Sequence, residues 1–155
     1  MRWWWRSEAP RFLSDADQQR CMPAVERTAA FMEAQAAAER VIHSDLHFGN
    51  VLLAPNGGVA VLDFDGCAVA HPAFDLVLTE GELLDFPDAP VLTAAYREGY
   101  AAQSGQPFPV EAAEVLGVAT GTAFLEWVYG SANPEVRARK ERWGPSLLDD
   151  LALRG

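Results

Sequence analysis

The sequence predicts an α+β fold that is mainly helical, with one small β-hairpin near its middle. Three observations predict it. Stretches with apolar residues at helical spacing follow one another along most of the chain, divided by Pro87, Pro90, Pro107, Pro109 and Pro134. One strong hairpin turn, Pro55-Asn56-Gly57-Gly58, lies between two short apolar runs, and Asn-Gly accepts positive φ at low cost. The chain has 155 residues, 50% of them hydrophobic and 22% charged, which suits a single globular domain over 1–155 with a sizeable core.

Taken in order, residues 1–22 read as an irregular, tryptophan-rich lead-in, because Pro10 interrupts them and no period is sustained. Trp3, Trp4 and Trp5 would pack on the domain or cover a surface left by a missing one. Residues 23–40 read as a helix, with Pro23 in its first turn and Val25, Ala29, Met32 and Ala36 at i, i+4, i+7 and i+11. Val41 and Ile42 lead into a polar loop, His43-Ser-Asp-Leu-His-Phe-Gly-Asn50. Residues 51–54 and 59–64 read as the two hairpin strands. Residues 73–85, 90–103, 110–130 and 135–153 read as helices. Phe124, Trp127 and Tyr129 are expected to pack in a helical core, and Cys67 to act as a small apolar filler. The acids at 80, 82, 85 and 88 are expected to be solvated. Cys21 and Cys67 make no disulfide framework.

Charge narrows the function. Twelve Lys and Arg against 22 Asp and Glu leave a net charge of −10. A nucleic-acid partner is not expected, since phosphate contacts need a basic face. No apolar run approaches the ~18 residues of a membrane span, and Met1-Arg-Trp-Trp-Trp-Arg6 is no signal peptide, so the expectation is a cytoplasmic protein without a membrane partner. Residues 41–133 hold one basic residue, Arg97, against twelve acidic ones. Such a stretch suits metal ions or cationic ligands, or serves as a solvated surface.

The chemistry concentrates between residues 43 and 75. A hairpin turns the chain back on itself, so the loop before its first strand and the loop after its second lie at the same end. That brings Asn50 close to Asp63. An amide oxygen and a carboxylate together make a hard, oxygen-lined cation site suited to Mg²⁺. Asp45, in the same loop as Asn50, could accept a proton beside the metal. A base and two oxygen ligands are the parts that phosphoryl transfer needs. A metallohydrolase is the rival enzyme reading, with His43, Asp45 and His47 at alternate positions and His71 and Asp63 added for a zinc or dinuclear centre. Gly49 and Asn50 extend the motif away from that reading. No Gly-x-x-x-x-Gly-Lys loop and no Gly-x-Gly-x-x-Gly fingerprint is present.

The segments His43-Ser44-Asp45-Leu46-His47-Phe48-Gly49-Asn50-Val51-Leu52, Val61-Leu62-Asp63-Phe64-Asp65 and His71-Pro72-Ala73-Phe74-Asp75-Leu76 resemble the aminoglycoside phosphotransferase family, a branch of the protein-kinase-like fold. The resemblance implies the C-terminal lobe of that fold, with the small hairpin carrying the catalytic and metal loops. It implies an ATP-dependent phosphotransferase that moves a γ-phosphate to a small-molecule hydroxyl. Asp45 matches the catalytic aspartate. Asn50 and Asp63 match the ligands of the Mg²⁺ that accompanies ATP. His43 and Asp75 match residues that steady the catalytic loop, and Asp65 sits where some members carry a second acid. Acceptors in related families include aminoglycosides, choline, homoserine, sugars and protein hydroxyls, and the acidic stretch favours a cationic one.

The resemblance also sets an expectation of something missing. Family members carry an N-terminal nucleotide lobe with a phosphate-binding lysine ahead of the catalytic loop. Here 42 residues precede His43, and the one lysine of the sequence, Lys140, follows far behind it. The chain is therefore expected to be the C-lobe alone, weak or inactive without an N-lobe. It would then work with a separate N-lobe partner or as a homo-oligomer. The alternative is a non-catalytic kinase-like lobe that acts as a binding or regulatory module.

Overall fold

The structure, a computed structural model, describes residues 1–154; the side chains of Arg137, Lys140 and Glu141 lie outside the described set, so the position of the Lys140 amine does too. The described helices are α1 (Arg2–Ser7), α2 (Asp15–Ala34), α3 (Ala73–Leu83), α4 (Ala89–Ser104), α5 (Val110–Gly130) and α6 (Pro134–Leu153). Four short strands lie between α2 and α3: β1 (Arg40–Ile42), β2 (Val51–Leu53), β3 (Val59–Val61) and β4 (Ala68–Ala70). The chain is thus mainly helical with a small β content. It divides into two compact units, residues 1–35 with 115–155, and residues 36–114. No helix among the described residues is long and apolar enough to cross a membrane.

The first unit corrects the expected irregular lead-in at 1–22. Residues 2–7 are helical, Ala9–Arg11 form a 3₁₀ turn, and α2 begins at Asp15. Ser14 caps α2 by accepting the Asp17 N–H at 3.1 Å, and Asp15 and Asp17 sit in the first turn, where the helix dipole favours acids. Pro23 consequently lies inside the helix rather than in its first turn. The helix also stops at Ala34, short of the expected residue 40, because Arg40 is taken into β1.

Trp4 and Trp5 are core residues, and only Trp3 is exposed. Their rings meet edge to face at 5.4 Å, and the buried Trp5 indole N–H donates to Thr122 Oγ1 at 3.1 Å, so no polar atom of that ring is orphaned. Cys21, Val25, Val118, Leu125 and Leu151 close the core around them. Burial pushes the Cys21 thiol pKa up. Arg2 and Arg6 both bond Glu26 of α2, at 2.6 and 2.9 Å, and these bonds hold its carboxyl below the usual range. Tyr129 packs against this core, whereas Trp127 is exposed.

The second unit contains two antiparallel pairs, one nested inside the other. The outer pair joins β1 to β4, with Val41 opposite Val69. The inner pair joins β2 to β3, with Leu52 opposite Ala60. The inner pair is the expected hairpin, with shorter strands: Phe64 belongs to a 3₁₀ turn, Phe64–Gly66, rather than to β3. Gly57 takes φ +80° at the turn, and the Ala54 N–H closes it on the Gly58 carbonyl at 2.8 Å. Cys67 is exposed and fills no core. Glu80 is not simply solvated; it accepts from Arg97 of α4 at 2.6 Å, and the Arg97 guanidinium lies 5.1 Å from the Phe108 ring. The last turn of α4 ends on Gly105 at φ +68°.

Candidate active site

The nested pairs explain why polar residues far apart in sequence meet. The loop 43–50 leaves β1 and enters β2; the segment 62–67 leaves β3 and enters β4. The two irregular arms therefore lie side by side between the ladders, and hydrogen bonds lace them together. The Leu62 N–H donates to the Asn50 carbonyl at 2.8 Å. His43 Nε2–H donates to the Leu62 carbonyl at 2.7 Å, and the Ser44 hydroxyl donates to the Gly66 carbonyl.

His43 is buried, its ring 4.8 Å from that of Phe64. Its Nδ1 accepts the Asp45 N–H at 3.3 Å, so one tautomer, with the proton on Nε2, serves both arms. Asp75, in the first turn of α3, accepts the backbone N–H groups of His43 and Ser44 at 2.7 Å each. Ser44 carries φ +65°, a left-handed conformation that costs a non-glycine residue about 1 kcal/mol. These two bonds and the Gly66 contact hold it there.

Asp45 is more than half exposed, and its carboxylate faces solvent from the middle of the loop. Asn50 is buried, with its Nδ2 donating to the Asp45 carbonyl at 2.9 Å and to Asp45 Oδ2 at 3.3 Å. The amide nitrogen is thereby committed, which leaves Asn50 Oδ1 as the atom for a cation. Asp63 follows Leu62 directly, is exposed, and has φ +61°. Ser44 and Asp63 are the two non-glycine residues with positive φ among those described, and they flank the same pair of arms.

The remaining polar residues have mostly structural contacts. His47 Nδ1 accepts the Gly49 N–H at 3.0 Å, and its Nε2 lies 3.7 Å from Asp45 Oδ2. A Cβ on Gly49 would stand 2.6 Å from His47 Cε1, so a larger residue there would push the His47 ring aside, and glycine serves close approach rather than φ. His71 Nδ1 accepts the Ala73 N–H at 3.2 Å, and burial lowers its pKa. Thr79, which the sequence reading passed over, and Glu82, which was expected to be solvated, reach the same loop: the Thr79 hydroxyl donates to the Leu46 carbonyl at 2.7 Å, and Glu82 accepts the Phe48 N–H. Their signal in the sequence is their spacing from Asp75, i+4 and i+7, which puts all three on one helical face.

Among the described residues, no three His, Cys, Asp or Glu side chains converge as a metal-ligand set. The zinc or dinuclear reading therefore lacks its ligands. An Asn50 amide oxygen and an Asp63 carboxylate instead offer two hard oxygens, fitting a cation such as Mg²⁺ that keeps water or phosphate in its other positions.

The model of the phosphotransferase enzyme family matches residues 2–127 of the chain. That span holds all three segments, the α2 helix and most of α5. No curated protein matches the chain.

Proposed function

Because the chain belongs to the phosphotransferase enzyme family, we propose that it forms the catalytic C-lobe of a protein-kinase-like fold and transfers the γ-phosphate of ATP to a small-molecule hydroxyl. One observation carries the reading. Asp45, Asn50 and Asp63 sit on two arms laced by the Leu62–Asn50 and His43–Leu62 hydrogen bonds, with the Asn50 amide bonded to the Asp45 carboxylate.

Asp45 orients the acceptor hydroxyl and takes its proton as the new P–O bond forms and the bond to the β-phosphate oxygen breaks, releasing ADP. Its exposure leaves room for an acceptor to approach. Asn50 Oδ1 and Asp63 would hold Mg²⁺, which when bound neutralises phosphate charge. The acidic 41–133 stretch supports a cationic acceptor.

Residues 1–42 contain no lysine. An N-lobe, or a second copy, that clamps the nucleotide phosphates would complete the site and raise turnover. Exposed apolar pairs on the second unit, Val41 with Val69 and Leu53 with Val59, support such a partner. The second reading is a lobe that binds without catalysis, favoured by the absence of a lysine from residues 1–42 themselves.

The deciding experiment follows γ-labelled ATP onto a panel of aminoglycoside, choline-like, amino-alcohol and sugar acceptors. Transfer that falls about 10²–10⁴-fold in Asp45→Asn supports catalysis. Transfer unaffected by that substitution removes Asp45 from the mechanism, and Mg²⁺-ATP binding without any transfer favours the second reading.

A further inference from the structure

The helix that follows the two arms grips the Asp45 loop along its whole length. Asp75 takes the amides of His43 and Ser44, the Thr79 hydroxyl takes the carbonyl of Leu46, and Glu82 takes the amide of Phe48. Residues 75, 79 and 82 span less than a quarter of the helical circumference, so one face of α3 meets the loop at backbone groups that advance in step with it. The first contact fixes the entry of the loop, the last its exit.

Glu82 is the unexpected member. It lies in the last turn of α3, where the negative end of the helix dipole disfavours a carboxylate, and no basic residue in that turn balances it. The carboxylate is directed at the Phe48 N–H, a charge-assisted bond. Just beyond the helix, Phe86 meets the Phe48 ring edge-on at 5.9 Å. Backbone and side chain of Phe48 are thus both held from the C-terminal end of α3. Between Phe48 and Asn50 lies only Gly49, whose missing Cβ admits the His47 ring.

We infer that Glu82 is a positioning residue for the cation site. By holding the Phe48 amide it fixes the backbone through Gly49 and so the place of Asn50 Oδ1, and Thr79 supports the same grip from the middle of the loop. This rests on the reading of Asn50 and Asp63 as cation ligands.

The test compares the whole chain with Glu82→Ala, which deletes the acceptor, and Glu82→Gln, which keeps an acceptor oxygen without the charge. Mn²⁺ affinity is read by electron paramagnetic resonance, amide exchange at Phe48 by NMR, and the fold by thermal melting. Outer-shell partners of metal ligands typically contribute about 10–100-fold to affinity. The expected result is Mn²⁺ binding weakened about 10-fold in Glu82→Ala, with faster exchange at Phe48, substantial rescue in Glu82→Gln and little change in melting. Binding and exchange unchanged in Glu82→Ala overturn this inference alone, as does a Glu82→Gln variant no better than Glu82→Ala. No saturable Mn²⁺ binding in the unsubstituted chain overturns the cation site and this inference with it.

Discussion

Asp63 shows most plainly how a single residue reports on the site. An exposed aspartate at φ +61° gains nothing for folding that glycine would not supply at lower strain. Asp63→Gly should therefore be more stable than Asp63→Ala by about 1 kcal/mol in chemical denaturation; equal stabilities would show that the backbone there is unstrained. Asp75 is the opposite case. Its carboxylate satisfies two loop amides, and Asp75→Ala leaves those donors without it, so the variant should lose about 1–3 kcal/mol. An unchanged denaturation midpoint would contradict that grip. His71 adds a pH dependence. Burial lowers its folded pKa below the ordinary 6.5, so below that value the unfolded chain binds the additional proton. Its contribution is full above the unfolded pKa and is lost as pH falls towards the folded one. Melting of the unsubstituted chain should drop more between about pH 7.5 and about pH 5.5 than melting of His71→Asn; parallel curves would contradict it.

Among the elements, the helices at 73–85, 90–103, 110–130 and 135–153 were readable to within two residues at each end, since their proline boundaries and apolar spacing agree with the final packing. The β2–β3 turn was readable because Asn56-Gly57 needs no tertiary support to form. By contrast β1 and β4 are three residues each and pair only with one another, so no local period announces them. Ser14, whose cap is followed by two acids, marks the start of α2 more strongly than Pro23 does, since a proline is also tolerated inside the helix here. Asp45, Asn50 and Asp63 were picked out by type and spacing. Glu82 was not, since its role depends on a backbone N–H contributed by another segment. Pro23 itself breaks the α2 hydrogen-bond series from an exposed position, so Pro23→Ala should stabilise the first unit by about 1–3 kcal/mol. A destabilised variant would mean that the ring makes packing contacts worth more than the missing bond.

At the scale of the whole molecule, net charge and exposed apolar strands oppose each other. A charge of −10 keeps copies apart, while the Val41–Val69 and Leu53–Val59 pairs favour contact. Salt screens the first effect far more than the second. Mass by light scattering should therefore rise above 16.9 kDa as ionic strength increases; a monomer at every salt concentration would show that these pairs drive no self-association. The central claim concerns neither oligomer nor fold, but the two oxygen donors beside Asp45. It is tested most directly by titrating Mn²⁺ into the unsubstituted chain and into Asp63→Gly, with binding followed by electron paramagnetic resonance. The account predicts weak, saturable binding to the first, shared with added ATP, and its loss in the second while the fold is kept. Equal binding to both, or none to either, would contradict it.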